Sequence, residues 1–281
     1  MHRKKSRYSM RELAISTVIY IVLIAFLIFF LYPIFMDVEL SFEPQVNIFA
    51  LPPTYLFMPT LTHFVKVFTG WQFTAFALNS VVISTSAVLA ALLMGVPCAY
   101  IISRYDLPRK GDIAGIILSF RFLPIVAIAI PLYLLYVEIG FFDTVWGLAI
   151  FYVMTDLPFV VWLMKGFIDS VPTAIEDAAQ VDGHSRFQVF YRFTIPLVSR
   201  GLAATTLFCL ILTWNDFGAA LILTGHSART LPAQSLQFVS SFALDWGGLA
   251  AAAIIIALPM MIFGILIRNY LIKGLTFGAV R

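Results

Sequence analysis

The sequence predicts an all-α membrane protein with about six transmembrane helices and a short helical segment on the cytoplasmic side between the fourth and fifth. Three observations predict it. The 281 residues are 61% hydrophobic and only 12% charged, with a mean hydropathy of +0.94, whereas a soluble domain is about half apolar and about one quarter charged. Six apolar runs approach or exceed the roughly 20 residues that a membrane helix needs. The basic residues between those runs are distributed with a strong bias to one side.

The first run, about 13–36, follows a basic stretch of Arg3, Lys4, Lys5, Arg7 and Arg11. It is longer than the roughly 7–15 residues of a signal h-region and has no small-residue cleavage site, so it reads as a retained span after a cytoplasmic N-terminus, residues 1–12. The other runs are about 76–103, 113–137, 145–168, 197–224 and 248–272, leaving a loop at 169–196 and a tail at 273–281. With six spans, 15 of the 18 Lys and Arg residues fall on one side, Lys66 and Arg229 fall on the other, and Arg121 lies within a span. Basic loops stay in the cytoplasm, so both termini are placed there. The two longer outer stretches are 37–75, where Pro44, Pro52, Pro53 and Pro59 forbid one long helix, and 225–247. No internal repeat is evident. Cys98 and Cys209 lie in apolar runs and read as small buried hydrophobes. Neither they nor the four histidines have metal-ligand spacing.

The loop at 169–196 carries the most information. Pro172 suits a first helical turn, and Glu176 and Asp177 follow where the helix dipole favours acids. Gly183 suits the position just past a helix end. Ser185 and Gln188 have capping-box spacing for a second helix. In that helix Phe187, Phe190, Tyr191 and Thr194 fall on one face at i, i+3, i+4 and i+7, and Pro196 opens the fifth span. Ala174 and Ala178 give the first helix a small-residue flank. On the residues alone, this is either a re-entrant elbow or a docking surface for a partner.

The run Glu176-Asp177-Ala178-Ala179, three residues, Gly183, nine residues, Phe193-x-Ile195-Pro196 resembles the EAA loop of binding-protein-dependent ABC importer permeases, with Asp177 at the motif's acid and Phe193 and Ile195 replacing other apolar residues. Arg121-Phe-Leu-Pro124 and Trp214-Asn215-Asp216 are similar to segments of the carbohydrate branch. The ending from Lys273 through Gly274 and Gly278 to Arg281 resembles that of the smaller maltose-transporter-type subunit. The resemblance covers essentially the whole chain. It implies a coupling helix in which Glu176, Asp177, Ala178, Ala179, Gly183 and Pro196 serve contact with an ATPase. It also implies that Gly274, Gly278 and Arg281 lie in a tail touching the same subunit. The implied partners are a second permease subunit in a heterodimer, two ATPase subunits, an external solute-binding protein, and a sugar or polyol substrate. No Gly-x4-Gly-Lys-[Ser/Thr] phosphate loop occurs, so the chain is a non-catalytic subunit that binds no cofactor, and ATP and magnesium are used by the partner ATPase. Neither a nucleophile elbow nor a zinc motif occurs, and nucleic acid is not an expected partner.

Polar groups inside the membrane are costly, and they face a cavity or a partner. Arg121 reads either as a structural ion pair or snorkelling group or as lining of a solute path. Trp214, Asn215 and Asp216 have the same two readings, and Trp beside Asn suits sugar. Asp156 precedes Leu157-Pro158, where proline frees a backbone carbonyl for a cavity. The alternative function is an ion-coupled secondary transporter of a small polar solute. That would favour inverted repeats and would leave the EAA-like loop unexplained.

Overall fold

The computed structural model describes residues 10–52, 54, 56–70, 72–122, 124–239 and 245–275. In hydrocarbon each backbone polar group must be satisfied within its own segment, and helices are the solution available to an open chain. The helices are α1 (Met10–Phe42), α2 (Gln45–Ile48), α3 (Thr62–Gly70), α4 (Phe73–Arg104), α5 (Lys110–Ser119), α6 (Ile125–Glu138), α7 (Val145–Asp169), α8 (Thr173–Val181), α9 (Arg186–Val189), α10 (Ile195–Leu197), α11 (Ser199–Trp214), α12 (Gly218–Leu223), α13 (Leu231–Gln234) and α14 (Trp246–Leu275).

Among the described residues four helices, α1, α4, α7 and α14, are by themselves long and apolar enough to cross a membrane. Two bent pairs make up to six spans: 110–122 with α6, diverging by 82°, and 186–197 with α11, bent by 75°. The run expected at 113–137 therefore contains a break, and the 75° bend lies at the start of the run expected at 197–224. Pro124 has no N–H to continue the helix of α5, which tightens into a 3₁₀ turn at Phe120–Phe122 before α6 begins. The fifth run breaks at 215–217. There Asp216 Oδ1 accepts the N–H of Ala219 at 2.9 Å and of Ala220 at 3.4 Å, starting α12 afresh.

The described residues divide into two compact units, one of Met1–Val67 with Phe238–Ile254 and one of Phe68–Gln237 with Ile255–Arg281. In the first, α1 presents apolar side chains such as Leu23, Leu27 and Phe30 outward along its length, as a lipid-facing helix does. Its far end is tied to α3, where the His63 ring Nε2 bonds Glu43 O at 2.9 Å and Phe42 packs on Phe64. Asp245 pairs with Lys66 and accepts the Gly248 N–H at 3.0 Å, capping α14. Burial raises the Asp245 carboxyl, but the Lys66 hydrogen bond, the Gly248 N–H and the charges of Lys66 and His63 outweigh it, so the net shift is below the usual range.

In the second unit the core is α4 against α7. Ala87, Ala91, Gly95 and Ala99 recur every four residues on one face of α4 and are all buried. This small-residue row lets the backbones approach, the usual device where lipid supplies no hydrophobic drive between helices. A Cβ on Gly95 would lie 2.6 Å from Val160 Cγ1. Val88, Val161, Met164 and Ile168 complete this layer, and a second layer gathers Ile83, Tyr136, Leu148, Tyr152 and Leu223.

Candidate functional site

The first candidate site is the loop between α7 and α11. Pro172, at the cap position, leads into α8. The helix ends in a Schellman motif. His184 N–H reaches Ala179 O at 3.1 Å, and Gly183 N–H reaches Gln180 O at 3.0 Å. Gly183 has φ +88°, which a side chain would resist, and open space surrounds it. The capping box forms: Ser185 N–H donates to Gln188 Oε1 at 2.9 Å, and Gln188 N–H donates to Ser185 Oγ at 3.3 Å.

The adjacent acids Glu176 and Asp177 face opposite ways. Glu176 is buried and ionically paired: Arg104 Nε donates to its Oε1 at 2.9 Å. Thr194 Oγ1 donates to the same oxygen at 2.9 Å, and the Tyr100 hydroxyl donates to Oε2 at 3.2 Å. Arg104 Nη2 also donates to the carbonyls of Ile168 and Val171, each at 2.8 Å. Beside it, Ser103 hydrogen-bonds Asp169, which also accepts from Lys165 at 2.6 Å. Ala179 is buried as well, whereas Asp177, Ala178, Gly183 and Pro196 are exposed. Glu176 and Ala179 thus belong to the inner face of α8 and cannot make the surface contact expected of them. The outer face carries Ala174, Ile175, Ala178 and Val181, the last 87% exposed, between Asp177 and Asp182.

The expected aromatic stripe does not form. Phe190–Thr194 is π-helical, and its wider turn breaks the i, i+3, i+4, i+7 register. Phe187 and Tyr191 remain exposed, Phe190 packs on Tyr100 with ring centroids 4.7 Å apart, and Thr194 is buried against Glu176. Ile175, Val181, Phe187 and Tyr191 thus leave exposed apolar surface beside Asp177 and Asp182.

The second candidate site is a cavity of about 680 Å³ bounded by the 120–122 turn, α6, α7 and the end of α11. Three of the five residues expected along a solute path line it: Arg121, Asp156 and Asp216. Arg121 Nη1 lies 3.8 Å from Asp156 Oδ1 and donates to Thr155 O at 3.3 Å. Thr213 Oγ1 donates to Asp156 Oδ2 at 2.6 Å, and Tyr152 OH donates to Asp216 Oδ1 at 3.0 Å. Phe120, Phe151 and Ile128 add apolar wall. Arg121 is therefore both in an ion pair and in the lining.

The expected lining roles of Trp214 and Asn215 are corrected. Trp214 is buried between Phe76 and Leu231 and donates its Nε1–H to Ile256 O at 2.9 Å. Asn215 Nδ2 turns back to Ile211 O at 2.8 Å. Successive helical residues point about 100° apart, so the side that carries Thr213 and Asp216, three residues apart, excludes the two between them. Tyr152 and Thr213 escaped the sequence reading. The signal available was helical spacing, Tyr152 lying four residues before Asp156 and Thr213 three before Asp216.

A third feature lies in the loop before α7. Asp143, at φ +56°, accepts four backbone N–H groups. Oδ1 takes Gly225 at 2.9 Å and Ala228 at 3.0 Å, and Oδ2 takes His226 at 3.1 Å and Ser227 at 3.0 Å. Burial pushes this carboxyl up, but the four donated hydrogen bonds outweigh it and hold it below the usual range. Of the tail residues, Gly274 sits in the last turn of α14, while Gly278 and Arg281 lie outside the described residues.

Residues 91–276 match the model of the family described as binding-protein-dependent transport system inner membrane component. The chain is 34% identical to a probable ABC transporter permease protein, y4oR, of Sinorhizobium fredii, over 90% of this chain and 91% of the relative. It is 31% identical to the trehalose transport system permease protein SugB of Mycobacterium tuberculosis, over 79% of this chain and 82% of that one. Its fold is similar to that of a bacterial ABC transporter involved in the import of the acidic polysaccharide alginate, with TM-score 0.76, 22% identity, and coverage of 94% of this chain and 98% of the other.

Proposed function

This chain belongs to the family of binding-protein-dependent transport system inner membrane components, and from that premise we propose that it translocates a sugar or related polyol into the cytoplasm as one of two permease subunits of an ATP-driven importer. Family membership makes it a membrane transport component rather than an enzyme and sets aside the ion-coupled alternative. The partners we infer are a second, non-identical permease, two ATPase subunits using ATP and magnesium, and an external binding protein that delivers the solute. The observation that carries the coupling role is the outer face of α8, an apolar, acid-flanked surface ending at Gly183. Asp177, Ala178, Gly183 and Pro196 provide the exposed contact, and Glu176 and Ala179 hold the helix from behind. Gly274, Gly278 and Arg281 are assigned to a tail contact with the same ATPase. Sugar as the solute is supported by the trehalose system of the relative and by the chemistry of the cavity. Tyr152, Phe120 and Phe151 offer aromatic surface, and Arg121, Asp156, Asp216 and Thr213 offer hydrogen-bonding groups.

The cavity role has a direct check. Asp156→Asn leaves Arg121 without its counter-charge, and Tyr152→Phe removes the hydroxyl that holds Asp216. Each variant is expected to lower sugar uptake by about tenfold while the ATPase still co-purifies, on the scale of one or two lost polar interactions. Uptake at the wild-type level in both would remove the solute path from this cavity.

Orientation rests on the basic bias, with α8 and both termini cytoplasmic. With Cys98 and Cys209 replaced by alanine, single cysteines at Leu56 and Ser227 are expected to react with a membrane-impermeant thiol reagent in intact cells, and one at Lys110 to react only after permeabilisation. Labelling of position 110 from outside would invert the topology.

A further inference from the structure

The importer reading places the input of mechanical work at α8 and the solute at the cavity. Two routes join them. The covalent route runs from α8 through α9, the π-helical Phe190–Thr194 segment and α10 into α11, with a 75° bend on the way. A π-turn followed by a sharp bend is a compliant path. The other route is non-covalent. Arg104 closes the end of α4, and three of its guanidinium's hydrogen bonds reach beyond α4: to Glu176 on α8, to Ile168 O in the last turn of α7, and to Val171 O in the linker before α8. Glu176 also accepts a hydrogen bond from the Tyr100 hydroxyl of α4. Arg104 and Glu176 side chains are only 9% and 5% exposed. Burying a charge pair is expensive compared with burying apolar residues of the same size, and once formed it holds one geometry because every alternative leaves a charge unpaired. The α4–α7 layer behind it is close-packed along the Ala87, Ala91, Gly95 and Ala99 row. α7 then runs about 20 Å, at 1.5 Å per residue, from Asp169 to Asp156 in the cavity.

We propose that the buried Arg104–Glu176 pair transmits displacement of α8 to α4 and α7, so that the stroke reaches the cavity through these two helices rather than through the chain connection into α11. Arg104 and Glu176 are positioning residues: they touch neither solute nor ATPase, and they act by making α8, α4 and α7 one body. This assignment rests on the importer reading. It differs from a docking role in what it predicts. Loss of a docking residue lowers hydrolysis and transport together. Loss of the lock lowers the amount of solute moved for each ATP consumed.

The experiment reconstitutes the complete transporter in proteoliposomes and measures uptake and ATP hydrolysis in the same preparation. Glu176→Gln keeps the shape and removes the charge. Arg104→Lys keeps the charge but has no planar fork to serve three acceptors. Each is expected to lower the ratio of solute transported to ATP hydrolysed by about tenfold, the scale of a single coupling term. Tyr100→Phe, which removes the α4 hydroxyl bonded to Glu176, is expected to lower the ratio by about two- to fivefold, and it carries the test if either charged-site variant fails to insert. An unchanged ratio across these variants, with uptake and hydrolysis falling in parallel, would overturn the proposal and reduce the pair to a support for the docking surface. A wild-type complex that couples no uptake to ATP would instead overturn the importer reading itself.

Discussion

Ala178→Arg is expected to abolish retention of the ATPase subunit while leaving the membrane bundle intact. Ala178 is exposed on the outer face of α8, four residues after exposed Ala174, and it points away from buried Glu176 and Ala179. Nothing inside the chain is displaced by a longer side chain there, and arginine is a good helix former, so the cost to folding stays within about 0.5 kcal/mol. In a docked complex the same guanidinium is forced into a close, small-residue contact without a counter-charge. That costs several kcal/mol, and about 3 kcal/mol already weakens binding by more than about 100-fold. Affinity purification of the tagged permease from detergent, with the amount of ATPase subunit quantified per permease, checks this. Gly183→Asp should act in the same direction more weakly, because Asp tolerates positive φ better than most residues. ATPase recovered with Ala178→Arg at the wild-type ratio would show that α8 is not the docking helix.

The second large effect is expected at Asp143. One carboxylate satisfies four backbone N–H groups of residues 225–228, so Asp143→Ala strips four donors of their acceptor. With partial replacement by water, the loss is about 2–3 kcal/mol. Asp143→Asn separates this account from a simple packing role. Its amide nitrogen must face two of the N–H donors, so it should melt close to Asp143→Ala rather than to wild type. Unfolding in detergent is followed by reaction of a thiol dye with Cys209, which is fully buried in the folded chain. The pH dependence has a defined sign. The folded carboxyl titrates below its ordinary value, so its stabilisation is complete above the unfolded value of about 3.9 and is lost as the pH falls through the lower folded value. The difference in melting between wild type and Asp143→Ala should therefore be constant from about pH 5 upward and shrink below about pH 4. Identical melting of Asp143→Asn and wild type would contradict the four-bond clamp.

These two sites also mark where the sequence was legible. The loop around α8 could be read closely because its determinants are local. Pro172, the Ser185–Gln188 box and Gly183 act within a few residues, and the structure realises each of them. The number of apolar runs and the helical class follow from composition, and they too were legible. What escaped depends on partners far along the chain. Glu176 and Asp177 look equivalent in sequence, yet Arg104, 72 residues earlier, draws one inward and leaves the other outside. The π-turn at Phe190–Thr194 displaced an aromatic pattern that assumed 3.6 residues per turn. Trp214 was a candidate for the cavity because Trp beside Asn suits sugar, but its side chain packs with Phe76 and Leu231. Asp143 drew no attention because nothing in a single loop acid foretells four backbone donors 82 to 85 residues later.

The central claim is that this chain is a permease subunit of an importer powered by ATP. It is tested most directly by reconstituting it with its second permease and ATPase subunits in liposomes and following entry of radiolabelled oligosaccharides presented on the external binding protein. The account predicts uptake that requires internal ATP with magnesium and the binding protein, and that persists when ionophores collapse every ion gradient. Uptake that proceeds without ATP and stops when an ion gradient is dissipated would contradict it.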